Sequence, residues 1–434
     1  MELICRKESG MSHATLSVVV FILVMIVIIS EKVHRAVVAV GGAVLLIILG
    51  VLDIESGVSY IDYNTIGLLI GMMMFVAVVK HSGIFEYLAV KSAKITKGDP
   101  WKMMIVFIII TAVLSALLDN VTTVLLVGPM TFAITKAMDL NPVPYIMTQI
   151  LASNIGGTAT LIGDPPNIMI GNAAKFTFGD FLINTGVPCV FIITGLLFML
   201  KFFYGKELVA DERSIQKMMM LDENKAINDP KLMKKSIVMI ALVVLAFLFH
   251  DQIGLDTPTI ALTAGAVMML IGHVDVEEVV ANVEWTTLLF FIGLFVLVGG
   301  LEKTGVIKVL ANILMNVTGG HVIATMMVLL WASAMISAVL NNIPFVATLI
   351  PLIQAMGAQG VDTAPLWWAV TLGACLGGNG TLIGASANVV LSNIAGKHGY
   401  PITFNSYLKK GMPVMLMSIV VSSLWLLLKF AVFK

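Results

Sequence analysis

The chain has 434 residues, 59% hydrophobic and 12% charged, with 26 Lys plus Arg against 26 Asp plus Glu. Zero net charge excludes the basic excess of a nucleic-acid binder, and the hydrophobicity excludes disorder. Apolar runs of roughly 15 to 20 residues, parted by short charged loops, leave a polytopic membrane protein of about ten spans with no long soluble region for a catalytic domain.

The run beginning near Ala14 follows Arg6 and Lys7 and shows no small-residue cleavage signature before Glu31. It reads as a retained span, with an anchor or signal as the alternative. Further candidate spans lie at 35–51, 64–80, 101–118, 121–137, 143–170 (interrupted) and 181–203. Residues 83–97 read as an amphipathic interfacial helix. A polar stretch at 206–235 follows. The pattern then restarts at 236–250, 258–272, 285–300, 321–340, 343–356, 364–394 (interrupted) and 407–430.

A shift of 222 residues places Gly71 on Gly293 and Asp119-Asn120 on Asn341-Asn342. A shift of 221 places Gly156-Gly157 on Gly377-Gly378, Thr160 on Thr381 and Asn167 on Asn388. The chain therefore divides into a first repeat (14–204), a cytoplasmic polar linker (205–235) and a second repeat (236–430).

Residues 101–137 are apolar on both sides of Asp119-Asn120. Two complete spans with a tight turn and a re-entrant hairpin both fit. Apolar residues hard against the kink favour the hairpin. Residues 156–167 then interrupt a helix, and such backbone is tolerated at membrane depth only inside protein or beside a watery cavity. With hairpins not counted, each repeat crosses about five times, and an odd number inverts the second repeat. The loop carrying Lys80, Lys91, Lys94, Lys97 and Lys102 then faces the cytoplasm, as does the linker. Both termini fall outside, against which Arg6, Lys7, Lys429 and Lys434 speak.

Four polar constellations stand in these apolar surroundings. The tips are Asp119, Asn120, Thr122 and Thr123, and Asn341 with Asn342. The breaks are Asn154, Gly156, Gly157, Thr158, Thr160, Asp164 and Asn167, and Gly377, Gly378, Asn379, Thr381, Ser386 and Asn388. Broken helices leave free N–H and C=O ends for ions, glycines admit a solute close to the backbone, and Asn and Thr supply donors and acceptors. Two tips meeting two breaks form one substrate- and ion-binding site near the midplane.

A carboxylate at membrane depth costs at least ~2.5 kcal/mol on insertion scales, so Asp119 and Asp164 are the proton-coupling candidates. The bland alternative is capping. Function is favoured at Asp119. At Asp164, beside Pro165-Pro166, the two readings balance. Their partners are Asn341 and Ala385, so the site is asymmetric. His81 and His321 read as interfacial, and His250, before Asp251, as a solvated helix end. Pro129 and Pro351 are expected to kink the hairpins' return arms. Cys5, Cys189 and Cys375 have no metal spacing and read as unpaired thiols. No metal site, Walker motif or catalytic triad is present, so the chain reads as a transporter and not an enzyme.

At four strings the chain resembles the ion transporter superfamily, in the branch of arsenite/antimonite permeases and the pink-eyed dilution P protein, above all that protein's membrane domain. They are 115–123 (SALLDNVTT), 153–167 (SNIGGTATLIGDPPN), 341–345 (NNIPF) and 373–388 (GACLGGNGTLIGASAN). The resemblance covers nearly the whole chain. It implies a scaffold domain that dimerises, a transport domain with elevator-like alternating access, and substrates among arsenite or antimonite, dicarboxylates or citrate, and sodium or protons. Asn341-Asn342 departs from the Asp-Asn expected at both tips. The Ser-Asn-Thr tips of the sodium-dicarboxylate branch are absent.

The leading reading is an integral, multi-pass secondary transporter, in a plasma or inner membrane, for arsenite, antimonite or a related small inorganic ion. It is proton-coupled through Asp119. Sodium/proton antiport comes second, a passive anion channel is a reading of another class, and dicarboxylate or citrate transport ranks lower. No cofactor is expected beyond a coupled proton or bound sodium ion. Expected partners are the bilayer, a small ion substrate and a second copy, with room for an arsenic-efflux ATPase. Thiol contact between Cys375 and trivalent arsenic is a subsidiary expectation.

Overall fold

The computed structural model describes residues 12–30, 32–205, 208, 211–220 and 222–432. Cys5, Arg6, Lys7, Glu31, Lys206 and Lys434 lie outside the described residues. Among the described residues every regular element is a helix. Those of ten or more residues are α1 (His13–Ile29), α2 (Arg35–Ile48), α3 (Tyr63–Lys80), α4 (Ile84–Ile95), α5 (Pro100–Leu117), α6 (Asn120–Ala137), α7 (Val143–Thr158), α8 (Pro165–Ala174) and α9 (Val187–Tyr204). There follow α10 (Pro230–Leu248), α11 (Thr257–Gly272), α12 (Trp285–Lys303), α13 (Val306–Val317), α14 (Val322–Ser337), α15 (Asn342–Gly357), α16 (Ala364–Gly377), α17 (Ser386–Lys397) and α18 (Phe404–Leu427).

Five stretches, Tyr63–Lys80, Pro100–Leu117, Phe178–Tyr204, Trp285–Lys303 and Phe404–Val432, are long and apolar enough to cross a membrane. Large apolar side chains such as Phe202, Leu270 and Ile48 are exposed, which suits a hydrocarbon solvent. This is an all-α, multi-pass membrane protein. Helix starts follow local chemistry. Asp99 caps α5 by accepting from the N–H groups of Trp101 and Lys102, with Pro100 at the first helical position. Asp229 and Pro230 open α10 in the same way.

Two compact units emerge. The first comprises Met1–Ile66, Glu284–His321 and Ala347–Thr363. Here α12 lies on α2 where Gly293 faces the main chain of Ala39 and Val40, a closeness that a Cβ would obstruct. Arg35 at the start of α2 donates to Thr287 Oγ1 at 3.4 Å and lies 5.2 Å from the Phe290 ring centroid. In the loop before α3, Asp53 accepts from Ser56 N at 2.7 Å, with Lys303 3.7 Å away.

The second unit comprises Gly67–Val283, Val322–Val346 and Ala364–Lys434. Gly71 of α3 meets the main chain of Ala261 and Leu262 on α11. At its centre, residues 144–158 of α7 and 365–377 of α16 are buried around their whole circumference. Helices enclosed on all sides need no polar face and can end abruptly inside protein. The expected amphipathic helix is α4, which packs on α5 and α6. The polar linker folds back onto α4. Glu223 pairs with Lys94, and Asn228 N donates to Ser82 O at 3.2 Å. The hydrogen bond from the Lys94 ammonium, ahead of a backbone N–H, holds Glu223 below its ordinary carboxylate value. Pro129 sits inside α6, and Pro351, which belongs to the first unit, inside α15.

Candidate functional site

All four constellations lie in the second unit. In the first tip, α5 and α6 meet at Asp119. Its Oδ1 accepts from Thr122 N at 2.7 Å, so the capping alternative describes its geometry. Asn120 is buried and donates to Asn154 Oδ1 at 3.3 Å. Thr123 is fully buried. Asn341 makes a similar cap, accepting from Ile343 N at 3.2 Å while its Nδ2 donates to Ser386 Oγ at 3.1 Å.

α7 has 16 residues, roughly 24 Å at 1.5 Å per residue, short of the roughly 30 Å hydrocarbon core. The chain then loops through 159–164 before α8 begins. Asn167 holds that loop closed, donating to the carbonyls of Gly157 (3.0 Å), Thr158 (3.2 Å) and Thr160 (2.8 Å). Asn388 does the same for the second break, donating to Gly378 O (2.7 Å) and Thr381 O (2.9 Å). Each break is tied to its hairpin. Ser115 Oγ donates to Ser153 O at 2.5 Å, and Ser337 Oγ to Ala374 O at 2.6 Å. Thr160 and Thr381 donate to the carbonyls of Ala116 and Ala338. Gly156 and Gly377 press on the main chains of Ala112 and Ala334. These pairs recur at the sequence offsets of 221 and 222. The hydroxyls of Thr158, Thr160 and Thr381 are thus engaged by backbone carbonyls, and Gly156, Gly157, Gly377 and Gly378 are occupied by close approach.

The two breaks also meet each other. Asn154 Nδ2 donates to Asn388 Oδ1 at 2.8 Å, and Cys375 Sγ donates to Asn167 Oδ1 at 3.2 Å. Cys375 is the counterpart of Asn154, and Asn167 of Asn388. The contact is therefore reciprocal, as a twofold relation between the breaks requires. Asn154 also donates to Asn379 Oδ1 at 2.9 Å, and Asn379 donates to Leu151 O at 3.3 Å. A fully buried set of carboxamides results.

Asp164 departs from the capping expectation. It stands at the N-cap position of α8, yet its carboxylate caps nothing. The cause is local. Pro166 removes the N–H of the second helical residue that a cap would satisfy, and Asn167 N, of the third, bonds the Asp164 carbonyl instead at 2.9 Å. The freed carboxylate, 1% exposed, reaches the second tip, where Asn342 Nδ2 lies 3.3 and 3.2 Å from its two oxygens. Of the two candidate carboxylates, Asp119 is half-buried and capping, whereas Asp164 is buried and bridges the two halves. Among the described residues, no hydrogen bond of Asn120, Asn154, Asp164, Asn167, Asn342, Asn379 or Asn388 goes to a Lys, Arg or His. Cys375, which the sequence offered only as a thiol contact for arsenic, is instead bonded to Asn167, and its offset of 221 from Asn154 is the signal that could have placed it there. His81 lies apart from the site, 3.6 Å from Glu278. Cys189 is buried and free.

Residues 25–373 match the family described as citrate transporter, CitMHS. An uncharacterized transporter of Mycobacterium tuberculosis is 39% identical over 427 residues, covering 96% of this chain and 99% of that one. The 46 kDa membrane protein of Mycobacterium leprae is 39% identical over 428 residues, with the same coverage. The P protein of Homo sapiens is 32% identical over 506 residues, covering 97% of this chain but 60% of the P protein, so the chain spans three fifths of that relative. Among solved structures, the YdaH transporter of Alcanivorax borkumensis, described as having an unusual topology, aligns with a TM-score of 0.59 at 15% identity. That alignment covers 97% of this chain and 99% of the other, a likeness of fold.

Proposed function

This chain belongs to the citrate transporter (CitMHS) family of membrane transporters, and we propose that it is a secondary transporter of arsenite, antimonite or a related small inorganic solute, driven by protons. In this reading the two repeats are inverted in the bilayer. The two tips and two breaks form the transport site, and the hairpins move with it in elevator-like alternating access.

The observation that carries the substrate class is the buried set of carboxamides around one buried carboxylate, with no cationic side chain bonded to it. Carboxamides pair with the hydroxyls of a small neutral oxyacid, donor to acceptor and acceptor to donor. Citrate would bring several negative charges beside Asp164 with no Lys or Arg to receive them, an arrangement that repels rather than binds. The coupling role moves from Asp119 towards Asp164, whose carboxylate is buried beside the Asn342 amide. Sodium/proton exchange is the second reading, favoured by the same carboxylate, since a small cation could displace the Asn342 amide.

The test is flux into proteoliposomes under an imposed proton gradient, with arsenite, antimonite, sodium, chloride, citrate and succinate as solutes. Arsenite or antimonite accumulation that collapses with the gradient is expected. Gradient-driven citrate accumulation with no metalloid flux would overturn the substrate class. Chloride flux indifferent to the gradient would make the protein a passive channel.

A further inference from the structure

Behind the first hairpin, about two helical turns of α5 from its tip, lies a cavity of about 10 Å³. Its wall is apolar except for Thr111, Thr131 and Gln149, from α5, α6 and α7. Thr111 is fully buried, and its Oγ1 has no hydrogen-bond partner. Two buried hydroxyls of α6 donate to the preceding turn, Thr131 to Val127 O at 2.9 Å and Thr135 to Thr131 O at 2.7 Å, whereas Thr123 Oγ1, like Thr111 Oγ1, has no partner. Thr111 borders the cavity instead. Gln149 Nε2 donates to Thr131 Oγ1 at 2.8 Å, which leaves the amide further donor and acceptor capacity.

We propose that this cavity is the site of one ordered water, bridging Thr111 Oγ1 to the Gln149 amide. The volume is about the least that admits a water, and three polar groups supply the partners one needs. A hard cation is a poorer fit, because it takes about six oxygen ligands and this wall is otherwise hydrocarbon. The second repeat has no such cradle. Ser333 stands where Thr111 does and is likewise buried without a partner, but Ile353 and Val370 replace Thr131 and Gln149. The first hairpin is therefore joined to its broken helix through an exchangeable contact that the second lacks.

The experiment is a density map of the protein in lipid nanodiscs at a resolution that shows water, with Thr111→Val and Thr111→Ser beside the parent. One peak within hydrogen-bond distance of Thr111 Oγ1 and Gln149 is expected, kept in Thr111→Ser and gone in Thr111→Val. An empty cavity in the parent, or a peak unmoved in Thr111→Val, would overturn the proposal. Thermal midpoints in sodium chloride and choline chloride give a second readout. Equal midpoints support water. A sodium-dependent rise in the parent that Thr111→Val loses would assign the cavity to a cation and sink the water. Should Thr111→Val fail to fold, Gln149→Leu carries the same expectations.

Discussion

The two helix breaks are built alike and equipped differently. In both, an asparagine closes the loop on backbone carbonyls, a glycine presses on the hairpin arm, and a threonine ties the loop to that arm. Yet the first break carries Asp164 ahead of two prolines, and the second carries Ala385 ahead of Ser386 and Ala387. Shared packing with unshared charge separates the parts that hold the architecture from those left for chemistry. The first set recurs at fixed offsets. The second set, Asp164 with Asn342 and Asn154 with Cys375, departs from the repeat.

The largest effect should come from Asp164→Asn, which keeps shape and removes the charge that the second break lacks. Proton-driven uptake in proteoliposomes should fall to the background of empty vesicles. Asp119→Asn should retain coupled uptake, because asparagine caps a helix about as well as aspartate. The opposite ranking would return the coupling role to the tip.

Next come the tip asparagines. Asn342→Leu strips the amide from a buried carboxylate and should cost about 2–3 kcal/mol, whereas Asn120→Leu loses a bond between neutral groups and should cost about 1 kcal/mol. Denaturation in detergent measures both, and equal losses would erase the claimed difference between the halves. Gly156→Ala and Gly377→Ala probe the shared part. Each Cβ meets hairpin backbone, so each should cost about 1–3 kcal/mol, and by similar amounts. A tolerated substitution at one of the two would break the equivalence.

The smallest effect belongs to a carboxylate outside the membrane. The Ser56 backbone N–H, then its hydroxyl and Lys303, hold exposed Asp53 below its ordinary value. A depressed native value means that the stabilisation exists above the unfolded-state value and drains away as pH falls through the native one. Asp53→Asn should therefore lower the thermal midpoint slightly at neutral pH and not at all in strong acid. A gap between parent and variant that widens on acidification would contradict this.

Membrane class, helix order and the interrupted segments were legible in the residues, because hydrophobic runs and glycine, proline and asparagine clusters act locally. The offsets of 221 and 222 were legible too, because repeated packing demands repeated small residues at the same places. The water cradle was not. Thr111, Thr131 and Gln149 sit on three helices, with nothing in their spacing to join them.

The fate of the two aspartates divides the levels most clearly. Pro166 withholds one of the N–H groups that Asp164 could cap, and chain chemistry alone left capping and function balanced there. Where that carboxylate then turns depends on which distant side chain folding brings within reach, and Asn342 lies 178 residues away along the chain. Local rules narrow what a residue can do, and long-range packing selects the partner it finally meets.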